Sequence, residues 1–345
     1  MNEARRPTIK DVAQHAGVSV GTVSHVLNET INVSAELRQR VEAATRALGY
    51  EQNMLAHALR RQRAPVVGLS MPHVASAYLA ALIDLFEDIA AGRGYQVMQV
   101  LTRRDPEIEL RRVRELLRHR VAGLLLVPTL DPRRTLDLIH ESRTPAVLVD
   151  RPADDPRFDQ VTFDNRRVMH QLATELIRLG HRRILFVVQS QMLIISRQRI
   201  EALRAAAAQI RRPVKIAILE IGDDAASYAD RLLQVMQRPA HPTAVIVSNS
   251  TIAALTLSAL QTMAGAYPDR ISLVSFEEPE WAELISPRLS VIRQPIRDIA
   301  RQAWQLLLRR MQGDPIPVEH LELHATVMLR ESVRKPPPRG RDAGP

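Results

Sequence analysis

From residue 66 to residue 276 short apolar runs alternate with longer amphipathic stretches, and few folds accept that alternation. The runs at 66–71, 97–101, 123–127, 146–150, 184–188, 216–221, 244–248 and 272–276 have the length and apolarity of buried strands. Between them, 78–91, 107–118, 133–142, 166–179, 197–210, 225–236 and 251–264 repeat apolar residues at helical spacing. Strands separated by helices do not pair as hairpins. Each needs a crossover, so the strands run parallel and the helices cover the sheet faces. Two sheets of about four or five strands are more economical than one very large one. In such α/β folds ligands bind at the carboxyl ends of the strands.

The 345 residues suit about two domains. No apolar run reaches the ~18 residues of a membrane span, and the first thirty residues are polar without a signal-peptide pattern. A cytoplasmic protein is expected. There is no cysteine, which excludes disulfides, thiol nucleophiles and thiolate metal centres. Net charge is +9. Residues 1–63 hold nine Lys/Arg against six Asp/Glu, and 334–345 hold four against Asp342. Each end therefore carries +3, leaving +3 for the 270 residues between. Cationic ends fit a polyanionic partner.

Residues 1–50 read as three short helices. Thr8, Ser19 and Ser34 can cap their starts, and Gly17 and Gly49 can end the first and third. The first, over 9–16, turns through Gly17-Val18 into the second, over 19–27, which makes a helix-turn-helix. The second begins Ser19-Val20-Gly21-Thr22, and the small N-terminal end of such a helix enters the major groove. A fourth short helical pattern, 53–61, precedes Pro65, so 51–64 reads as a linker. Leu59 stands on it beside Arg60, Arg61 and Arg63, which suits an apolar wedge in the minor groove better than a core position.

Several patterns resemble active sites without their context. Gly17-Val18-Ser19-Val20-Gly21 matches a nucleophile elbow, but a helix precedes it where a strand is required. His320, Glu322 and His324 share one face of a strand and could hold a metal; alternation with Leu321 and Leu323 fits a solvated face better. Asp154-Asp155 and Asp223-Asp224 are loop carboxylates that define no catalytic pair. No phosphate-binding glycine loop occurs. No catalytic residue, metal or cofactor is expected.

Thr8-Ile9-Lys10-Asp11-Val12-Ala13, Ala16-Gly17-Val18-Ser19 and Thr22-Val23-Ser24-His25-Val26-Leu27-Asn28 resemble the headpiece of the lactose/galactose repressor family. So do Val33-Ser34 and Leu48-Gly49-Tyr50, while Asn53 to Leu59 is similar to that family's hinge helix. In the body, Val66-Val67-Gly68-Leu69, Asp164-Asn165, Leu179-Gly180-His181-Arg182-Arg183-Ile184, Arg293-Gln294-Pro295 and Arg330-Glu331-Ser332 continue the resemblance. It implies a headpiece (1–50), a linker and hinge helix (51–64), and a two-lobed periplasmic-binding-protein-like module (65–333) that binds an effector and dimerises. Residues 334–345, with three consecutive prolines, read as a disordered basic tail.

The resemblance assigns DNA contacts to Thr8, Ser19, Val20, Gly21, Thr22, Ser24, His25, Asn28, Tyr50, Asn53, Ala56, Leu59 and Arg60. Val20 and Gly21 would offer shape and a methyl group, and His25 a single donor to guanine where arginine is commonest. Thr22, Ser24 and Asn28 suit phosphates. It assigns effector contacts to Tyr78, Asp150, Arg197, Asn249 and Glu277. The chain departs from the family pattern at Ser76-Ala77, where Asn-Pro is frequent, at Ser250, where Asp is usual, and at Glu277, where Asp is usual. Gln189-Ser190-Gln191 replaces frequent glycines. The expected function is a repressor of a carbohydrate-related operon. It would bind a palindromic operator as a homodimer in the nucleoid, and a sugar, sugar acid or polyol would modulate it. An effector-independent regulator, a transport sugar-binding protein and an α/β enzyme are the alternatives. A missing leader and the headpiece weigh against transport, and the lack of a catalytic constellation against an enzyme.

Overall fold

A computed structural model describes residues 7–28, 33–50, 64–73, 76–222, 226–263 and 267–337. The chain divides into two compact units, 1–64 and 65–345. The expected hinge helix, with Asn53, Ala56, Leu59 and Arg60, lies outside the described residues, as do Asp223 and Asp224.

The first unit holds α1 (Ile9–Ala16), α2 (Val20–Asn28) and α3 (Ala35–Leu48). Their apolar stripes meet in one small core of Val12, Ala13, Ala16, Val23, Val26, Val41 and Ala44. Ser34 caps α3 by accepting from the Leu37 N–H, and Gly49 ends it in the left-handed region.

The second unit is two lobes of like topology. Lobe 1 orders its sheet β11-β5-β4-β3-β1-β2, from β1 (Ala64–Met71), β2 (Gln96–Leu101), β3 (Val121–Leu126), β4 (Ala146–Val149), β5 (Asp159–Phe163) and β11 (His320–Leu323). Lobe 2 orders its sheet β12-β10-β9-β8-β6-β7, from β6 (Arg183–Val188), β7 (Lys215–Glu220), β8 (Ala244–Val247), β9 (Ser272–Ser275), β10 (Ser290–Arg293) and β12 (Thr326–Met328). The pairs are parallel except β10–β12, which is antiparallel. Six strands per sheet replace the expected four or five. Strands β5 and β10, and the long helix that follows β10, fall in stretches to which the sequence reading gave no element. In β5 the buried polar residues Asp159, Gln160 and Thr162 interrupt the apolar signal.

The helices are α4 (Ala77–Ala91), α5 (Pro106–Arg118), α6 (Arg133–Ser142), α7 (Asn165–Arg178), α8 (Ile194–Ala208), α9 (Tyr228–Met236), α10 (Ser250–Gln261) and α11 (Ile296–Gln312). The chain passes between lobes three times: from β5 to α7, from β10 to α11, and from β11 to β12. Gly68 on β1 is required by close packing, since a Cβ there would stand 2.5 Å from Leu124. Among the described residues no helix is long and apolar enough to cross a membrane. His320, Glu322 and His324 lie on β11 or just past it, and no metal-holding cluster forms among the described residues.

The start of the expected disordered tail is built into lobe 2. The Arg334 N–H donates to Ser272 Oγ at 3.0 Å, and the Arg334 carbonyl accepts from His181 Nε2 at 3.0 Å. A carbonyl only accepts, so Nε2 carries the proton and Nδ1 accepts from the Thr243 hydroxyl at 2.9 Å. Burial pushes the imidazole from 6.5 down to about 4. Between those values the unfolded chain binds a proton that the native chain refuses, so stability falls as pH drops from 6.5 to about 4. Urea denaturation at stepped pH should show that loss. His181→Asn should flatten part of it, and an unchanged slope would refute the assignment.

Candidate functional site

The headpiece turn is tied from three sides. Asp11 accepts the Thr8 N–H and hydroxyl, both at 2.7 Å, which fixes the start of α1. Gly17 ends α1 at φ 63°, and Val18 N–H closes back on the Ala13 carbonyl at 3.0 Å. Arg40 of α3 reaches the carbonyls of Ala16 and Gly17 at 2.6 and 3.2 Å. A Cβ on Gly17 would stand 2.7 Å from that guanidinium.

The turn delivers the start of α2 outward. Ser19 Oγ accepts the Thr22 N–H at 3.0 Å and bonds the Thr22 hydroxyl at 2.9 Å. Ser19, Val20 and Gly21 are exposed, and Val23 and Val26 face the core. No acidic residue lies on α2, so the positive end of its dipole is uncompensated. Ser24 and His25 are half-buried on the same helix, and Asn28 ends it. Thr8 is occupied in the cap of α1, and Tyr50 packs half-buried on the headpiece core.

In the body, the carboxyl ends of both sheets face one cavity of about 50 Å³, room for a few waters. Lobe 1 contributes His73, Ser76, Tyr78, Arg104, Asp150 and Arg151, and lobe 2 contributes Gln189, Arg199, Ser248, Asn249 and Glu277. Ser76 caps α4, accepting the Leu79 N–H at 3.2 Å. Its hydroxyl also donates to Glu277, 3.1 and 3.0 Å from the two carboxylate oxygens. Glu277 further accepts the Ser250 N–H at 2.9 Å and the Ser250 hydroxyl at 2.6 Å. Burial pushes its carboxyl above the ordinary range, and these donors pull it back. One carboxylate therefore bonds both lobes directly.

Asp150 follows β4 at φ 68°, and the Arg151 N–H donates to the Val149 carbonyl at 2.7 Å, a tight and strained turn. Burial raises the Asp150 carboxyl, and Arg151 and Arg199 oppose the rise. Arg199 Nε donates to Asn165 Oδ1 at 2.7 Å, and its guanidinium lies 4.0 Å over the Phe276 ring. Burial brings Arg199 down to about 10, so it is a cation at neutral pH. The Tyr78 hydroxyl is buried near Asp150 without a hydrogen bond of ordinary geometry. His73 is pushed down to about 4 by burial and by Arg104 and Arg151, and is neutral. Asn249 accepts the Ile252 N–H at 2.8 Å and caps α10.

Two family models match, one described as bacterial regulatory proteins, lacI family (residues 8–53), the other as a periplasmic binding protein-like domain (residues 173–333). The chain is 30% identical over 336 residues to the HTH-type transcriptional repressor PurR of Vibrio parahaemolyticus, covering 95% of this chain and 99% of that one. The chain belongs to the lacI family of bacterial regulatory proteins. It is also 27% identical over 330 residues to the HTH-type transcriptional regulator KdgR of Bacillus subtilis, covering 94% and 97% of the two chains. Its fold matches that of the lac repressor dimer bound to operator and the anti-inducer ONPF, with a TM-score of 0.84 at 24% identity over 96% of this chain and all of that one.

Within this lacI-family body, Tyr78, Asp150, Asn249 and Glu277 line one cavity, and Arg197 does not. Helix α8 begins at Ile194, three residues before the expected start. Its buried stripe then runs Ser196, Arg199, Ile200 and Leu203, while Arg197 is exposed. The arginine at the cavity is Arg199. Sequence reading also passed over His73, Arg104 and Arg151. The i, i+3, i+4, i+7 stripe from Ser196 through Ile200 and Leu203 includes position 199 and could have signalled Arg199; nothing local marks the others.

Three departures from the family pattern, Ser76, Ser250 and Glu277, form a single hydrogen-bonded cluster. The extra methylene of glutamate carries the carboxylate to Ser76 on the opposite lobe. Ser76→Ala should remove the interlobe donor and cost about 1–3 kcal/mol, as for a lost bond to a buried charge. Small-angle scattering should then report more open lobes, and scattering identical to wild type would refute the bridge. In the headpiece, Gly17→Ala should cost about 1–2 kcal/mol from the left-handed backbone, plus the displacement of Arg40. Amides of α1 and α2 should exchange faster while body amides stay protected; unchanged headpiece protection would contradict this.

Proposed function

We propose that the chain is a transcriptional repressor that binds a palindromic operator as a homodimer and answers to a small polar effector in the interlobe cavity. The observation that carries this reading is the exposed, acid-free start of α2, held by a tied turn, in the same chain as a two-lobed body with a charged cavity. Val20, Gly21 and His25 read base edges, and Thr22, Ser24 and Asn28 sit on phosphates. A dimer on a two-fold operator is supported by the fold shared with the operator-bound lac repressor dimer. Tyr78, Asp150, Arg199, Asn249 and Glu277 hold the effector, whose hydroxyls suit the buried acceptors. A carbohydrate-related operon and a working place on the nucleoid in the cytoplasm follow from that reading.

An effector that prefers one lobe arrangement changes DNA affinity by its differential binding energy, and the linker 51–64 transmits the change. The Ser76–Glu277 bond favours a second reading, in which the lobes close without a ligand and the regulator is effector-independent.

Mobility shift on the promoter of its own or a neighbouring operon tests DNA binding. Affinity should fall about a thousand-fold or more between ~50 and ~200 mM salt if six or more phosphates are contacted. Leu59→Ala should lose operator affinity and DNA bending while circular dichroism stays unchanged, because the wedge makes the bent-DNA surface available. A salt-insensitive complex would defeat the phosphate contacts, and full bending by the mutant would defeat the wedge.

A further inference from the structure

We propose that the effector is an anion: a polyhydroxylated molecule with a terminal carboxylate or phosphate, gripped by Arg104 and Arg151. The inference rests on the effector reading above and narrows it to one chemical class.

The first ground is unmet bonding capacity. Arg104, Arg151 and Arg199 line the cavity with the carboxylates Asp150 and Glu277, and the unmet capacity is that of Arg151. Glu277 already accepts from Ser76 and Ser250, and Arg199 is anchored on Asn165 and Phe276. Arg151 is 8% exposed, its Nη1 donates to the Pro128 carbonyl at 3.3 Å, and its Nε is buried without a hydrogen-bond partner. Its nearest carboxylate oxygen, on Asp150, is 3.8 Å from that Nε. A buried cation short of an acceptor is costly, and an anionic ligand supplies the acceptor.

The second ground is strain. Arg103 and Arg104 have φ 53° and 63°, in a turn closed by the Asp105 N–H on the Thr102 carbonyl at 3.0 Å. Two consecutive left-handed residues make a turn that normally takes Asn-Gly. Among the described residues five non-glycines have positive φ, and three of them, Arg103, Arg104 and Asp150, are here. Strain of this kind persists at ligand clamps, where it places a side chain.

The third ground is room. Beyond Arg104 and Arg151 the cavity adjoins a hollow of about 390 Å³, which Arg103 also lines. Its carboxylates are engaged: Asp105 accepts two N–H groups at the start of α5, and Glu220 accepts from Gln191. The anionic end of a ligand fits there, while its hydroxyls reach Asp150 and Tyr78.

Calorimetry and thermal shift on the full-length protein test this with D-glucose and D-galactose, D-gluconate and D-galacturonate, and glucose 6-phosphate. Wild type should bind at least one acid and bind its neutral parent about ten-fold or more weakly; the carboxylate and phosphate arms identify the group. Arg104→Gly should raise the melting temperature, because glycine accepts the left-handed turn, yet weaken the acid about ten-fold or more. Neutral sugars binding as tightly as their acids, or Arg104→Gly binding the acid like wild type, would overturn the anionic class and leave an effector site standing. Operator binding without response to any compound would overturn both, in favour of the effector-independent regulator.

Discussion

Apart from the antiparallel edge strand β12, the strands reach their parallel neighbours through crossovers, and the crossovers gather the loops that follow strands onto one edge. Two such sheets, joined by three passages of chain, face those edges toward each other. The loops after β1, β2, β4, β6, β8 and β9 therefore all meet at one cavity, although they span residues 73 to 277. Strands β3, β4 and β8 are buried on both faces and apolar, so their charged neighbours stand in the loops at their ends.

The cavity is held by opposed charges, each imperfectly satisfied. Desolvation pushes Asp150 and Glu277 toward their neutral forms and lowers Arg151 and Arg199, while the attraction between the carboxylates and the guanidiniums opposes those shifts. Such buried groups are poor contributors to stability and good contributors to selectivity, since any ligand must match the pattern. Glu109 stands behind them. It is fully buried, holds the Thr129 N–H at 2.9 Å, and is pushed up to about 7 by burial. Its charge also opposes the lowering of Arg151 by burial.

The headpiece solves a different problem, a small core with a fixed outward helix. Seven buried residues, all valine or alanine, cannot by themselves fix the angle between α1 and α2. Polar ties supply what the core lacks: the Thr8–Asp11 cap, the Ser19–Thr22 cap, and Arg40 on the turn carbonyls. Those ties place Val20 and Gly21 outward.

Local chemistry determined much of this protein. Helix caps at Thr8, Ser19 and Ser34, stops at Gly17 and Gly49, and eight apolar runs were legible in the sequence because each depends on neighbours within a few residues. Tyr78, Asp150, Asn249 and Glu277 were legible as a set only through resemblance, since no spacing rule links residues so far apart. Arg199 was missed because the resemblance points to Arg197, whereas the buried stripe of α8 carries Ser196, Arg199, Ile200 and Leu203. A polar, proline-rich composition predicts a disordered tail, yet Arg334 and Pro336 dock where Ser272, His181 and Gly180 offer backbone and side-chain partners. Only tertiary structure could bring Ser76 to Glu277, or leave Arg151 beside Asp150 without a full partner. Such contacts form between chain segments 201 residues apart or at a strained turn, and burial, which no local pattern encodes, decides their strength.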